Sequence, residues 1–458
     1  MNAGRAATAA LLLLALPATA LAQSQACPSS PPAYRFLRFD EDHAYLRREA
    51  CRVDFWDRSK LFALDDEAGQ YVTVGGDARV RVETGRNLRY APTPSDPSGD
   101  IVQRYHLHAD ARLGGDVRLF GEVKSNQVAG RRPGPIGTDV DRFDVHQAFV
   151  EVGGVVRAGR QEFMYGSGRR LFPRNGPNVR GSFDALRVMG RMGGWRIDGL
   201  IFQNVAIDPG KLDDTSQHDQ RFWGLYATGP FSRPVNLDLY YLGADRDPAR
   251  FAQGVAHEKR RTLGMRWFGA ANGWDFDVEP AVQWGRFGPA DIRAWSVAGE
   301  VGYILDAPRK PRAYVRVTGA SGDRDPRAPD LQTFNSLFPR GGAAGEAWNF
   351  SAANLLHLRL ALELTIAPRL TAAVGLDHIR RLSARDSVYG ASGLPVAPAG
   401  STDARVVGTD ADVLLTWRAS RQLLLALGAG YFRNGPYTRA TTVAANQWFV
   451  FPYLIFQF

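Results

Sequence analysis

The chain has 458 residues, a formal charge of +9, 48 glycines and 11% aromatic residues. No stretch is apolar for long enough to make a transmembrane helix, and two cysteines without a Cys/His cluster exclude a zinc module of the usual kind. Only five of the 56 basic residues are lysine. A GC-rich genome inflates arginine in this way, but guanidinium forks also suit carboxylate-bearing partners. Nucleic acid is not expected as a partner.

Met1 to Ala22 holds one basic residue, Arg5, then an apolar run through Leu11-Leu12-Leu13-Leu14 and Ala20-Leu21-Ala22. This pattern is that of a secretory signal peptide cleaved after Ala22. Residues 23–66 form a pre-barrel segment, Pro-rich at first, with a short helix over Asp40–Glu49, either periplasmic or folded into the rest of the chain. It contains both cysteines, Cys27 and Cys51. An even count in an exported chain suggests one disulfide, closing a loop of about 25 residues for roughly 3 kcal/mol in the chain-entropy picture.

From Tyr71 the sequence alternates with period two. Val72, Val74, Ala78, Val80 and Val82 lie opposite Asp77, Arg79, Arg81 and Glu83. Tyr105, Leu107, Ala109, Ala111 and Leu113 lie opposite Arg104, His106, His108, Asp110 and Arg112. Val117, Leu119 and Val123 lie opposite Arg118, Glu122 and Lys124, and the same alternation recurs at 274–284 and 356–366. One face is apolar with aromatic ends, and the other carries dense charge of both signs. That is the alternation of a barrel with lipid outside and a polar lumen. Residues 67–458 are therefore expected to form an all-β, antiparallel transmembrane β-barrel of about 18 strands, by the rule of roughly ten residues per strand.

The connections alternate in length. Tight ones occur at Gly114-Gly115, Gly153-Gly154, Gly193-Gly194 and Ala367-Pro368-Arg369, and long polar ones at 87–100, 130–142, 163–183, 206–219, 322–350 and 382–404. Short periplasmic turns and long loops, external or folded into the lumen, belong to the bacterial outer membrane. The chain ends on Phe449-Val450-Phe451-Pro452-Tyr453-Leu454-Ile455-Phe456-Gln457-Phe458. So aromatic a strand is safe only when another strand closes over it, and a terminal Phe is what the barrel-assembly machinery reads.

Several blocks in this order carry a resemblance. They are Asp54-Phe55-Trp56-Asp57, Val74-Gly75-Gly76-Asp77-Ala78-Arg79, His146-Gln147-Ala148-Phe149-Val150 and Gly159-Arg160-Gln161-Glu162. Further on come Tyr165-Gly166-Ser167-Gly168-Arg169-Arg170-Leu171, Gly176-Pro177-Asn178-Val179-Arg180, Ser182-Phe183-Asp184-Ala185-Leu186-Arg187 and Thr333-Phe334-Asn335-Ser336-Leu337-Phe338-Pro339. Through nearly the whole mature chain the sequence resembles the alginate export family of outer-membrane barrels. The resemblance implies an 18-stranded barrel passing an anionic polyuronate through an arginine-lined constriction. Fold transfers more safely than substrate.

A pore for such a chain needs fixed positive charge without a single tight trap. Candidate lining residues are Arg79, Arg81, Arg104, Arg112, Arg118, Lys124, Arg187, Arg312, Arg316 and Arg359, with Asp110, Glu122, Asp184 and Glu363 as charge partners. Arg–acid ladders also serve lumen stability alone. The 163–183 loop, with Arg169, Arg170, Asn178 and Arg180, is the expected constriction. His106 and His108 share one strand face, but no metal is expected there, and no cofactor elsewhere. The favoured function is a channel for anionic polysaccharide; the alternative is an uptake porin for small organic acids. An outer-membrane enzyme is the remote alternative, since no Ser and His lie together on an apolar face. Expected partners are outer-membrane lipid, the anionic solute, the assembly machinery and periplasmic export proteins.

Overall fold

The computed structural model describes residues 27–458 except 66–68, 88–95, 115, 133, 342–349 and 443–444. The proposed signal peptide, 1–22, lies outside the described residues. Eighteen long strands close into one antiparallel barrel. The first, β1 (Gln70–Arg86), pairs with the last, Gln447–Gln457, through Asp77 opposite Gln457 to Arg86 opposite Trp448. The aromatic C-terminal strand thus has no free edge. Among the described residues the sole α-helix is Pro436–Thr441, and no helix is long and apolar enough to cross a membrane.

Burial along the strands is inverted relative to a water-surrounded protein. On β2 (Ser98–Leu113), Leu107 is 51% exposed whereas its neighbours His106 and His108 are 4% and 3% exposed. Leu119, Ile201, Leu225, Val282, Trp295, Leu360 and Leu376 likewise face out, while Asp110, Glu122, Lys124, Asp198, Glu258, Arg260 and Asp377 are buried. Water would not leave those aliphatic side chains outside and those charges inside; hydrocarbon around the barrel does.

On one rim the connections are tight, as at 153–155, 193–194, 233–234, 272–273 and 368–369. On the other, most are long, but those at 252–253 and 288–289 are as short as the periplasmic turns. Among the described residues, the loops around 163–183 and 382–404 turn inward and pack on the wall. One apolar cluster joins Phe163, Tyr165 and Leu171 to Phe183, Phe202, Phe222, Tyr226 and Tyr240 of the wall; another joins Phe350 and Val388 to Ile379, Val407 and Phe432.

The segment before the barrel forms 3-10 turns, at Arg38–Asp40 and Ala44–Arg47 among others, rather than one helix. It enters the lumen from the periplasmic end: the Phe39 ring stands edge-on to Phe120 and Phe149 at 5.8 and 5.5 Å, and both of those face inward. Cys27 and Cys51 are bonded. Arg38 donates to the carbonyls of Gly76 and Phe458 at 3.0 and 2.8 Å, tying the segment to the closing seam. A Cβ at Gly76 would lie 2.5 Å from the His106 carbonyl and 3.0 Å from the Phe458 ring, so glycine is what admits that ring. Arg421, in a periplasmic turn, holds Asp54 and Asp57 at 3.0 and 2.8 Å.

Candidate functional site

The residues between β5 (Val156–Gln161) and β6 (Phe183–Met192) cross the lumen. Their contacts reach around the barrel. The Phe338 amide donates to the Arg170 carbonyl at 2.9 Å, and the Val179 amide to the Thr138 carbonyl at 3.0 Å. Arg174 donates to the Ala391 carbonyl at 2.6 Å. Phe172 stacks on Phe36 of the N-terminal segment at 5.1 Å. This loop therefore touches two other long loops, a third loop on the far side and the periplasmic segment.

Three expected lining arginines hold this loop to β1 and β2. Arg79 donates to the carbonyls of Asn175 and Pro177 at 2.9 and 3.0 Å, and Arg81 to that of Gly176 at 3.1 Å. Arg104 reaches the Asn175 carbonyl at 3.4 Å, with Asp77 4.0 Å away. Arg81 also pairs with Glu83. Among the described residues Arg79 and Arg174 have carbonyl partners and no carboxylate within ion-pair distance. Both bring guanidinium groups without a direct ion pair to the loop that crosses the lumen.

The other expected lining residues divide by partner. Arg112 and Arg118 hold the N-terminal segment, through the carbonyls of Glu41 and Phe39, and Arg118 is bidentate on Asp110 at 2.7 and 2.6 Å. Lys124 bridges Asp141 and Asp214, both at 2.6 Å. Arg187 pairs with Asp198 at 2.6 Å, and Arg312 with Asp275 and Glu300 at 2.5 and 2.7 Å. Arg316 pairs with Glu300 at 2.6 Å, and Arg359 with Asp377 and Asp412 at 2.5 and 2.7 Å. Of the expected acids, Asp184 pairs with Arg160 rather than with a residue of the proposed set, and Glu363 is half exposed, 3.5 Å from Arg312. Glu122 meets histidine, His106 Nδ1 at 2.8 Å.

Within the loop, Arg169 pairs with Asp277 and Glu279 at 2.6 and 3.0 Å, and Arg170 donates to Ser296 Oγ at 2.7 Å. Asn178 Nδ2 lies 2.8–3.1 Å from the carbonyls of Gln103, Gln127 and Asp139, which share its two hydrogens, and Arg180 donates to Glu162 at 2.5 Å. Sequence reasoning missed Arg174, although it stands in Pro173-Arg174-Asn175-Gly176-Pro177, a rigid turn that presents its one basic residue. It also missed the inward aromatics Phe202, Phe222, Tyr226 and Tyr240.

The profile of the alginate export family matches residues 70–451. The chain belongs to the alginate export family. A search of the curated proteins matched none. Among solved structures, Acinetobacter baumannii OccAB1 aligns over 88% of this chain and 99% of its own at 10% identity, with a TM-score of 0.60. The outer membrane protein OpdK of Pseudomonas aeruginosa aligns over 84% and 98% at 12% identity, with a TM-score of 0.57. Pseudomonas aeruginosa OccK2 (OpdF), solved in complex with glucuronate, aligns over 84% and 98% at 12% identity, with a TM-score of 0.54. At these identities the likeness is one of fold. Family and fold together make the protein a barrel channel of the Gram-negative outer membrane.

Proposed function

We propose that the channel passes anionic, uronate-type saccharides, and that the loop-crossed constriction selects them by charge. The observation that carries this reading is the state of Arg79 and Arg174. Their guanidinium groups are held by the carbonyls of Asn175, Pro177 and Ala391. A carbonyl fixes a guanidinium without neutralising it, so an incoming carboxylate meets a positive field that needs no reorganisation. The surrounding Arg–acid pairs, such as Arg169 with Asp277 and Glu279, are already compensated and hold shape.

Substrate length distinguishes two forms of this reading. An alginate-like polyuronate requires the 163–183 loop to move aside. A small organic acid does not, and the packing of that loop on Phe202 and Phe222 favours the small-acid form as the second reading. OccK2 (OpdF), of the same fold, was solved with glucuronate, a single uronate. Folded protein in liposomes separates them through flux of uronate oligomers, uronate monomer and neutral oligosaccharide of matched length. Preference for uronate oligomer over the neutral one supports polyuronate passage. Flux of the monomer alone supports the small-acid porin. Equal flux of charged and neutral saccharides overturns both.

A further inference from the structure

Four side chains meet inside the wall beneath the constriction: His106 of β2, Glu122 of β3 (Val117–Ala129), His146 of β4 (Asp141–Val152) and Glu162, the first residue after β5. All are at most 4% exposed. His106 Nδ1 lies 2.8 Å from Glu122 Oε1, and His146 Nε2 lies 3.9 Å from the same oxygen and 2.9 Å from Glu162 Oε1. The donor atoms of His106, Glu122 and His146 all fall within 4.8 Å of one another. Donors around a tetrahedral zinc lie about 3.3 Å apart, given bonds of roughly 2.0–2.1 Å.

We propose that this group is a structural binding site for a divalent transition-metal cation of the zinc type. His106, His146 and Glu122 are its ligands, and Glu162 is poised to close the fourth position. Two imidazoles and a carboxylate are borderline donors that suit zinc better than calcium or magnesium. Charge points the same way. With neutral rings, the three carboxylates of Glu122, Glu162 and Asp77 face two guanidinium groups, Arg180 on Glu162 and Arg104 beside Asp77. One negative charge is then left in a dry place, where an uncompensated charge is costly.

The rings can present their lone pairs. The carboxylates of Glu122 and Glu162 hold the ring protons on the inner nitrogens, while the outer nitrogens, His106 Nε2 and His146 Nδ1, are buried without a partner and can take those protons. Each ring keeps one proton, which moves from the inner to the outer nitrogen as the inner lone pair takes the metal. Gln147 supports the group from outside, accepting from the Glu162 amide at 2.9 Å. The ion would link three strands, and Glu162 connects it to Arg180. Both ends of the lumen loop would then be fixed from one point.

The test uses the full mature chain, tag-free and folded in detergent. It is stripped with chelator, then titrated with zinc alone against a chromophoric competitor, with retained metal counted by elemental analysis. Expected are one zinc per chain, slower exchange of the amides of Glu162 to Arg180, and, with cobalt substituted, the visible absorption of a tetrahedral nitrogen-containing site. Glu122→Gln, nearly isosteric, should weaken binding by about tenfold or more, and the His106→Ala/His146→Ala pair should abolish it. Heat-modifiable migration on gels verifies that each variant is folded. The proposal is overturned if folded wild-type protein retains no zinc, or if the double histidine variant binds it undiminished. The cobalt spectrum of the wild type decides the matter even if the variants do not fold: an octahedral, oxygen-only spectrum also overturns it.

Discussion

The wall built from β1 and β2 meets the lumen loop with guanidinium groups, whereas the wall from β6 round to Val235–Phe251 meets it with aromatic rings. On the first side Arg79, Arg81 and Arg104 grip the carbonyls of Asn175, Gly176 and Pro177. On the second, Phe163 of the loop packs against Phe183 and Phe202 with ring centroids 4.4 and 5.0 Å apart, and Phe338 closes over them. The two grips differ in what they supply. Aromatic burial provides most of the free energy that holds the loop in place, since each guanidinium–carbonyl bond replaces one to water and contributes little net stability. The guanidinium side provides the field. The aromatic wall thus anchors the loop, and the guanidinium wall brings positive charge to it.

The largest effect should come from the aromatic wall. Phe202→Ala removes a fully buried ring, a change worth about 3–5 kcal/mol. It should free the loop, raising single-channel conductance and current noise and weakening any ion preference, because Arg174 and the carbonyls that hold Arg79 move with the loop. Unchanged conductance would mean the loop is held otherwise.

Next is the periplasmic segment, which touches the loop through Phe36 and Phe172. Reducing the Cys27–Cys51 bond relaxes a constraint worth roughly 3 kcal/mol in the chain-entropy picture. Hydrogen exchange over residues 27–60 should quicken, and conductance should rise by less than in Phe202→Ala. Protection that is indifferent to reductant would refute this.

A third effect is on pH. Burial, and then the neighbouring charge of Asp386, pushes the Asp323 carboxyl in the long loop up to about 6 from 3.8. Because the folded value lies above the unfolded one, the folded loop binds the extra proton. Its contribution to stability is fully present below about 4 and is lost as pH rises through about 6. Amides at 321–325 should therefore be better protected at about pH 5 than at about pH 7.5, and Asp323→Asn should flatten the difference. The opposite slope would contradict the burial argument. The smallest effect is expected from Arg327→Glu in an exposed external loop, where the charge is screened within roughly 8 Å at physiological salt. A selectivity change there as large as at Arg79 would remove the distinction between lumen and loop charge.

Much of the architecture was legible because period-two alternation is a direct record of a two-sided environment. Leu107 next to His106 and His108 reveals both faces of β2, and the aromatic C-terminal strand reveals closure. The reading failed where the lumen is not water. On Trp195–Ala206, Leu200 and Phe202 face inward and are buried while Ile201 faces out, so both faces are apolar and the alternation vanishes. Such a strand records a loop packed against it from within, and a loop's path is set by distant contacts such as Phe338 on Phe222. The arginines were legible as inward residues, but their partners were not. Arg112 and Arg118 hold the backbone of the N-terminal segment, and a backbone carbonyl leaves no mark in the sequence. Arg174 shares that difficulty, since its partner is the backbone carbonyl of Ala391 in a distant loop.

The central claim is that Arg79 and Arg174, held by carbonyls and not neutralised, give the constriction its preference for anions. The most direct measurement is the reversal potential of single channels in planar bilayers under a salt gradient, for the wild type and for Arg79→Gln/Arg174→Gln. The account predicts an anion-selective wild type and a double variant whose reversal potential moves most of the way to that of a non-selective pore, with heat-modifiable migration unchanged. A wild type that prefers cations, or a double variant with wild-type selectivity, would contradict it.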